Sequence, residues 1–302
     1  MEGLQEHLPG EERSGRYSFR NIDGQPRLQT DAIFPIFKNG EDGECHLVGT
    51  GFFITHNGVF VTAKHVLKDA FDRDGNSTHA LNVGHIGPSG FAMRRIFGFS
   101  SHPAGDLAVA VAQPFFHNDT GEPLLNSRLI LSMIPPSIGD PVVTYAYPNS
   151  FAVQKSEKSQ DIHCNSAYYN GHIEELLPHG NGGKIEGACF RTTIHLHGGS
   201  SGGPVFGRHG NVIGINSSSL APDISYITRI NEVLLLDVRD VILSESEGPR
   251  SVGILTLAKL GHVLFDEPIL RLDLGNVICD VGPQGELTVC EQGLRPGIAV
   301  DY

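Results

Sequence analysis

The sequence predicts an all-β architecture, a barrel or sandwich of short strands. Three observations carry this reading. Apolar runs are short and broken by turn signals. Turn-forming residues are abundant, with 37 glycines and 18 prolines, a supply that suits many tight turns better than long helices. Few segments have helical spacing, the clearest being NEVLLLDVRDV from Asn231 to Val241, which could close a domain as a terminal helix.

In chain order, residues 1–27 are polar and charged and read as a loose arm. DAIFPIF, HLVGTGFFIT and GVFVTAKHVL follow as strand candidates, punctuated by Asn39-Gly40 and Asn57-Gly58. FFITHNGVFVTA reads as a hairpin, because Asn-Gly between apolar runs favours a type I′ turn. ALNVGHI, DLAVAVA, DPVVTYAY, CFRTTIHL, GPVFG, NVIGINSS and DISYITRI continue the series. The stretch from Phe151 to Gly187 is polar and reads as long loops around one or two weak strands. SESEGPRS, after Ile242, reads as a linker, and SVGILTL, HVLF, NVICDV and ELTVC beyond it are strand-like. The expected organisation is an arm (1–27), a main domain (28–241) and a C-terminal extension (242–302).

Composition narrows the partners. Acidic residues outnumber basic ones, 34 to 22, for a net charge of −12. A chain so charged, with no concentrated basic block, is not expected to bind nucleic acid or an anionic membrane surface. The N-terminus lacks the apolar core of a secretory signal, and no stretch has the length of a membrane span. Five scattered cysteines without CxxC spacing suggest neither a disulfide framework nor a structural zinc site. A reducing cytoplasm is the expected compartment, and no cofactor is expected.

The chemistry lies in three short motifs. A serine hydroxyl is a weak nucleophile at neutral pH. It needs an imidazole as base, a carboxylate to orient that imidazole, and donors for the developing oxyanion. Gly199-Ser200-Ser201-Gly202-Gly203-Pro204 offers Ser201 in a glycine-rich loop whose Gly199 and Ser201 amides are free to point into one pocket. Alone, the hexapeptide could be an ordinary β-turn. His65 ends the run Thr62-Ala63-Lys64-His65, and Asp106 opens the run Asp106-Leu107-Ala108-Val109. Each alone could be a surface histidine or a turn aspartate. Their order, His then Asp then Ser, differs from the Asp-His-Ser order of subtilisins and the Ser-Asp-His order of α/β-hydrolases.

These segments resemble the T-A-x-H, D-(I/L)-A-(L/V) and G-x-S-G-G-P motifs of trypsin-like peptidases. GPVFGRHGNVIGINSS is similar to the segment after the nucleophile in HtrA-type enzymes, and DISYITRI to the last barrel strand. The resemblance spans about residues 31–236. It implies two six-stranded β-barrels with the site between them, His65 and Asp106 from the first and Ser201 from the second. It implies a serine endopeptidase acting on protein or peptide substrates. It does not cover the small C-terminal extension, through which a regulatory partner could act. By family geometry the substrate pocket would draw on His195, His197, Asn216 and Ser217. Ser200 stands where secreted trypsins carry an aspartate, and no Ile-Val-Gly-Gly start is present, so activation by N-terminal insertion is not expected. A catalytically silent domain used for protein binding is the competing reading, and a small-ester hydrolase with the same triad is a third.

Overall fold

Antiparallel strand pairing closes the first part of the chain on itself. The computed structural model describes residues 19–20, 26–27, 29–40, 45–68, 81–87, 90–116, 121–156, 159–182, 185, 187–221, 224–243, 248–266, 270–273, 277–281, 287–291 and 300–301. Strands β1 (Ile33–Asn39), β2 (Cys45–Phe53), β3 (Val59–Thr62), β4 (Leu81–Gly87), β5 (Gly90–Ser101) and β6 (Ala108–Ala112) form a closed barrel in the order β1-β2-β3-β6-β5-β4. One short helix, α1 (Lys64–Lys68), follows β3. Phe34, Phe53 and Phe60 are fully buried and pack ring against ring.

The β2–β3 hairpin is present, but its turn differs from expectation. A type I′ turn needs φ > 0 at both central residues. Here only Gly58 has it, at +95°, and the connection is a five-residue loop in which Thr55 Oγ1 accepts from the Val59 amide.

A short strand, β7 (Ile130–Leu131), leads into the second barrel. That barrel comprises β8 (Pro141–Ala146), β11 (Ala167–Leu177), β12 (Cys189–Thr192), β13 (Pro204–Phe206), β14 (Val212–Ala221) and β15 (Ile224–Arg229). They run in the order β13-β8-β11-β12-β15-β14, and pairing of β13 with β14 closes the ring. Val142, Ile173, Phe190, Val205, Ile213 and Ile227 form its core. The expected double barrel is therefore the fold.

Residues 151–187 hold more strand than the sequence suggested. A hairpin of β9 (Phe151–Ser156) and β10 (Ser159–His163) precedes β11, an eleven-residue barrel strand. In β11 only Ile173 is buried, so the strand lacks the apolar alternation by which strands are recognised. The segment from Asn231 to Val241 is likewise not one helix. Ile230–Leu235 is a 3-10 helix, and Asp237–Val241 is strand β16, paired with β17 (Arg250–Gly253).

Core packing continues past residue 241. Val252, Ile254, Leu257 and Val263 join the cluster that includes the first barrel. SVGILTL is divided between β17 and helix α2 (Ile254–Lys259). Strand β18 (Leu264–Phe265) pairs in parallel with β7. Four further strands, β19 (Leu270–Asp273), β20 (Val277–Val281), β21 (Leu287–Glu291) and β22 (Val300–Asp301), form a separate sheet. Most of the N-terminal arm lies outside the described residues.

Where the barrels meet, glycines admit close backbone contact. Gly202 has φ +83°, and a Cβ there would press into Thr62 Oγ1 and the Thr50 carbonyl. Gly198, nearby, has open space and no positive φ. Gly202→Ala is therefore expected to lower the melting temperature by roughly 5–10 °C, while Gly198→Ala changes it by no more than about 2 °C. Thermal unfolding of the two variants beside wild type checks this.

Candidate active site

Strand register brings the histidine to the aspartate. β3 pairs antiparallel with β6, Thr62 opposite Ala108, so the residues just after β3 lie beside those just before β6. His65 donates its backbone N–H to Asp106 Oδ1 at 3.0 Å, and its Nδ1 lies 2.9 Å from Asp106 Oδ2. With Nδ1–H held by the carboxylate, the lone pair of Nε2 is left as a base. The Asp106 hydrogen bond lifts the His65 imidazole above its ordinary pKa; partial burial opposes this and the charge of Asp106 assists it.

The Ser201 loop is set by where its carbonyls go. His197 to Ser200 form a tight turn, with the Ser200 amide donating to the His197 carbonyl at 3.1 Å and Gly199 at φ +91°. Positive φ at the third residue is the requirement of a type II turn, met at no cost by glycine. The Gly198 carbonyl accepts from the Asn149 amide at 3.1 Å. The Ser200 carbonyl accepts from the Gly203 amide at 3.0 Å and from Asn216 Nδ2 at 3.2 Å. In a trans peptide N–H points opposite to C=O, so the amides of Gly199 and Ser201 face away from these anchors. Among the described residues, no acceptor meets either amide.

Thr50 of β2 ties this loop to the first barrel. Its amide donates to the Ser201 carbonyl at 2.8 Å, and its hydroxyl donates to the Gly199 carbonyl at 2.8 Å. Beside it, a Cβ on Gly49 would lie 2.6 Å from Val66 Cγ2 and 2.9 Å from the Ser201 carbonyl oxygen. The helix start bearing His65 and the Ser201 loop thus converge over Gly49. Among the described residues no hydrogen bond joins Ser201 Oγ to His65 Nε2, a contact that commonly tightens only with substrate present.

The four residues expected in the substrate pocket separate into two pairs. His195 and His197 are exposed, their rings 4.6 Å apart, with Tyr169 at 5.3 Å from His197. Asn216 and Ser217 are buried instead. Asn216 Nδ2 bonds Thr144 Oγ1 at 2.7 Å as well as the Ser200 carbonyl, and Ser217 Oγ lies 2.6 Å from Thr228 Oγ1. Although they are neighbours on β14, neither is exposed: the pairing with β15 shifts register between Asn216 and Ser218, and both side chains are bonded within the second barrel, so unlike His195 and His197 they present no exposed group. Ser200 is fully buried, its Oγ without a partner among the described residues.

Sequence reasoning missed Thr50, Asn149 and the true role of Asn216. Thr50 acts through its amide and its hydroxyl and Asn149 through its backbone amide, for which no motif exists. Of the cysteines, Cys45, Cys164 and Cys189 are free thiols; Cys279 and Cys290 lie where side chains are not described. Burial pushes the Cys164 and Cys189 thiols up to about 11, which leaves little thiolate at neutral pH. Among the described residues there is no cluster suited to a metal ion, and no helix is long and apolar enough to cross a membrane.

Comparison with known proteins bears on the same region. The trypsin-like peptidase domain family matches residues 49–215, more than half of the chain. No curated protein matches. Among solved structures, Deg5 is similar with 18% identity and a TM-score of 0.52, over 68% of this chain and 87% of its own. The Rv3671c protease from M. tuberculosis in its active form has 17% identity and a TM-score of 0.47, over 68% and 78% of the two chains. The MamO protease domain from Magnetospirillum magneticum has 15% identity and a TM-score of 0.48, over 67% and 93%. At such identity the likeness to Deg5 supports the fold alone. The family match runs from the strand that carries Thr50, through His65 and Asp106, to the strand that supports the Ser201 loop: the chain belongs to the trypsin-like peptidase domain family.

Proposed function

We propose that the chain is a serine endopeptidase that cleaves protein substrates through an acyl-enzyme. The observation that carries this reading is the two-point hold of Asp106 on His65, which presents Nε2 as a base beside the Ser201 loop. Ser201 Oγ attacks the scissile carbonyl while His65 Nε2 takes its proton. The amides of Gly199 and Ser201 donate to the oxyanion. Collapse expels the amine, which receives the proton from His65, and water releases the acid by the same route in reverse order. Asp106 orients the ring and stabilises the imidazolium. Substrate is a protein or peptide, bound without cofactor, and His195 and His197 are the pocket-side groups open to a polar or acidic side chain. The buried Ser200, with no carboxylate there to capture a new N-terminus, fits a chain active without that insertion.

Ser201→Ala is expected to abolish labelling by a fluorophosphonate probe and to lower turnover by on the order of a millionfold, with the fold intact. Wild-type protein that binds peptides yet takes no label would favour the silent binding domain instead. For Asp106→Asn the expected loss in kcat is about ten-thousandfold. Activity requires neutral His65, so in wild type it falls as pH drops through the raised imidazole pKa, and Asp106→Asn moves that acid limb to lower pH. A pH–rate profile of both forms reads this shift, and a stationary limb would remove Asp106 from the role. Three free thiols among the described residues support a reducing compartment such as the cytoplasm. Labelling is expected to be unchanged by reductant, which a required disulfide would not permit.

A further inference from the structure

The turn that delivers Asp106 is built around a buried histidine outside the triad. His102 is 6% exposed. Its Nδ1 accepts from the Gly105 amide at 2.6 Å and from the Ala104 amide at 3.3 Å. Its own amide donates to the Leu107 carbonyl at 2.8 Å, and Lys64 Nζ, next to His65, donates to its carbonyl at 2.9 Å. Residues on both sides of Asp106 are therefore bonded to His102. Because amides can only donate, Nδ1 carries a lone pair and the ring proton sits on Nε2. Nε2 lies 3.0 Å from Glu232 Oε2, in the 3-10 helix that follows the last strand of the second barrel.

We propose that His102 and Glu232 are positioning residues that fix the Asp106 turn, with Glu232 holding the His102 tautomer that lets Nδ1 accept from the Gly105 and Ala104 amides. The proposal rests on the reading of Asp106 as the carboxylate that orients His65. Loss of the Glu232 acceptor frees the ring to take its proton on Nδ1, where it opposes both amides instead of binding them. The turn then loosens, and with it the hydrogen bond from His65 to Asp106. The helix after the second barrel thereby sets a residue of the first. Asp106 on the same turn, Lys64 and Glu232 are the charged groups that meet this unit among the described residues. Packing reinforces it, since a Cβ on Gly187 of the second barrel would come within 3.0 Å of Gly105 Cα.

Imidazole nitrogen NMR tests this without relying on turnover. In wild type His102 is expected as the neutral Nε2–H tautomer, and the opposite tautomer would overturn the proposal even if no variant folds. In Glu232→Ala the titration midpoint of His65 is expected to fall toward its ordinary value. In Glu232→Gln, which keeps an acceptor for Nε2–H, it is expected to return most of the way. An unmoved His65 midpoint in a folded Glu232→Ala protein, or a Glu232→Gln protein as perturbed as Glu232→Ala, would also overturn it. On a peptide substrate, Glu232→Ala is expected to lower kcat about tenfold with KM within about twofold. A change confined to KM or to melting temperature contradicts a positioning role. If wild type takes no fluorophosphonate label while the His65 midpoint shifts as expected, the peptidase reading fails and the pairing stands.

Discussion

Thr50 is the point on which the two barrels are registered. It lies on a strand of the first barrel and uses both its amide and its hydroxyl on carbonyls of the Ser201 loop. The same hydroxyl accepts from the Tyr147 amide, and the Thr50 carbonyl accepts from Thr62 Oγ1. Thr50 is fully buried, so a group of it that loses its partner is left without water, at a cost of about 1–3 kcal/mol. A loop carrying four glycines between residues 198 and 203 would otherwise have many conformations. With the carbonyls of Gly198, Gly199, Ser200 and Ser201 all taken, the amides of Gly199 and Ser201 have one direction left.

That arrangement suits the proposed oxyanion site. Donors fixed before substrate arrives need no reorganisation as charge develops, which is the economy of such sites. The acid–base side is fixed with similar redundancy. Asp106 holds the backbone and ring of His65, while His102 holds the backbone on either side of Asp106. Lys64 couples the two turns from the histidine side. No single element positions the site; strand register, a buried hydroxyl and the two polar networks around Asp106 and His102 do so together.

What was legible in the sequence follows the same physics. Runs of β-branched and aromatic residues with turn signals gave away five strands of the first barrel, whose residues are mostly buried; β5 was not among the candidates, and of its residues 91–101 only Arg94 and Ile96 are buried. The motifs around His65, Asp106 and Ser201 stood out because their chemistry restricts residue type. β11 was read as no more than a weak strand because most of its residues are half-buried and only Ile173 is buried, which leaves no apolar alternation to read. The segment after Ile230 was taken for one helix because apolar spacing over eleven residues does not distinguish a 3-10 turn followed by a strand. Asn216 was expected in the pocket wall, and its buried amide bonds the Ser200 carbonyl and Thr144, a use that strand pattern alone does not show. Thr50 and Glu232 bond to residues far apart in the chain, and the His102 ring accepts from amides two and three residues on, contacts that a linear pattern does not disclose.

The central claim is that Ser201 lies between a fixed base and two fixed amide donors. A crystal structure of the fluorophosphonate-treated protein tests it most directly. The account predicts phosphorus bonded to Ser201 Oγ, with one phosphoryl oxygen about 2.7–3.1 Å from the amides of both Gly199 and Ser201. Phosphorus on another side chain, or a phosphoryl oxygen directed away from those amides, would contradict it.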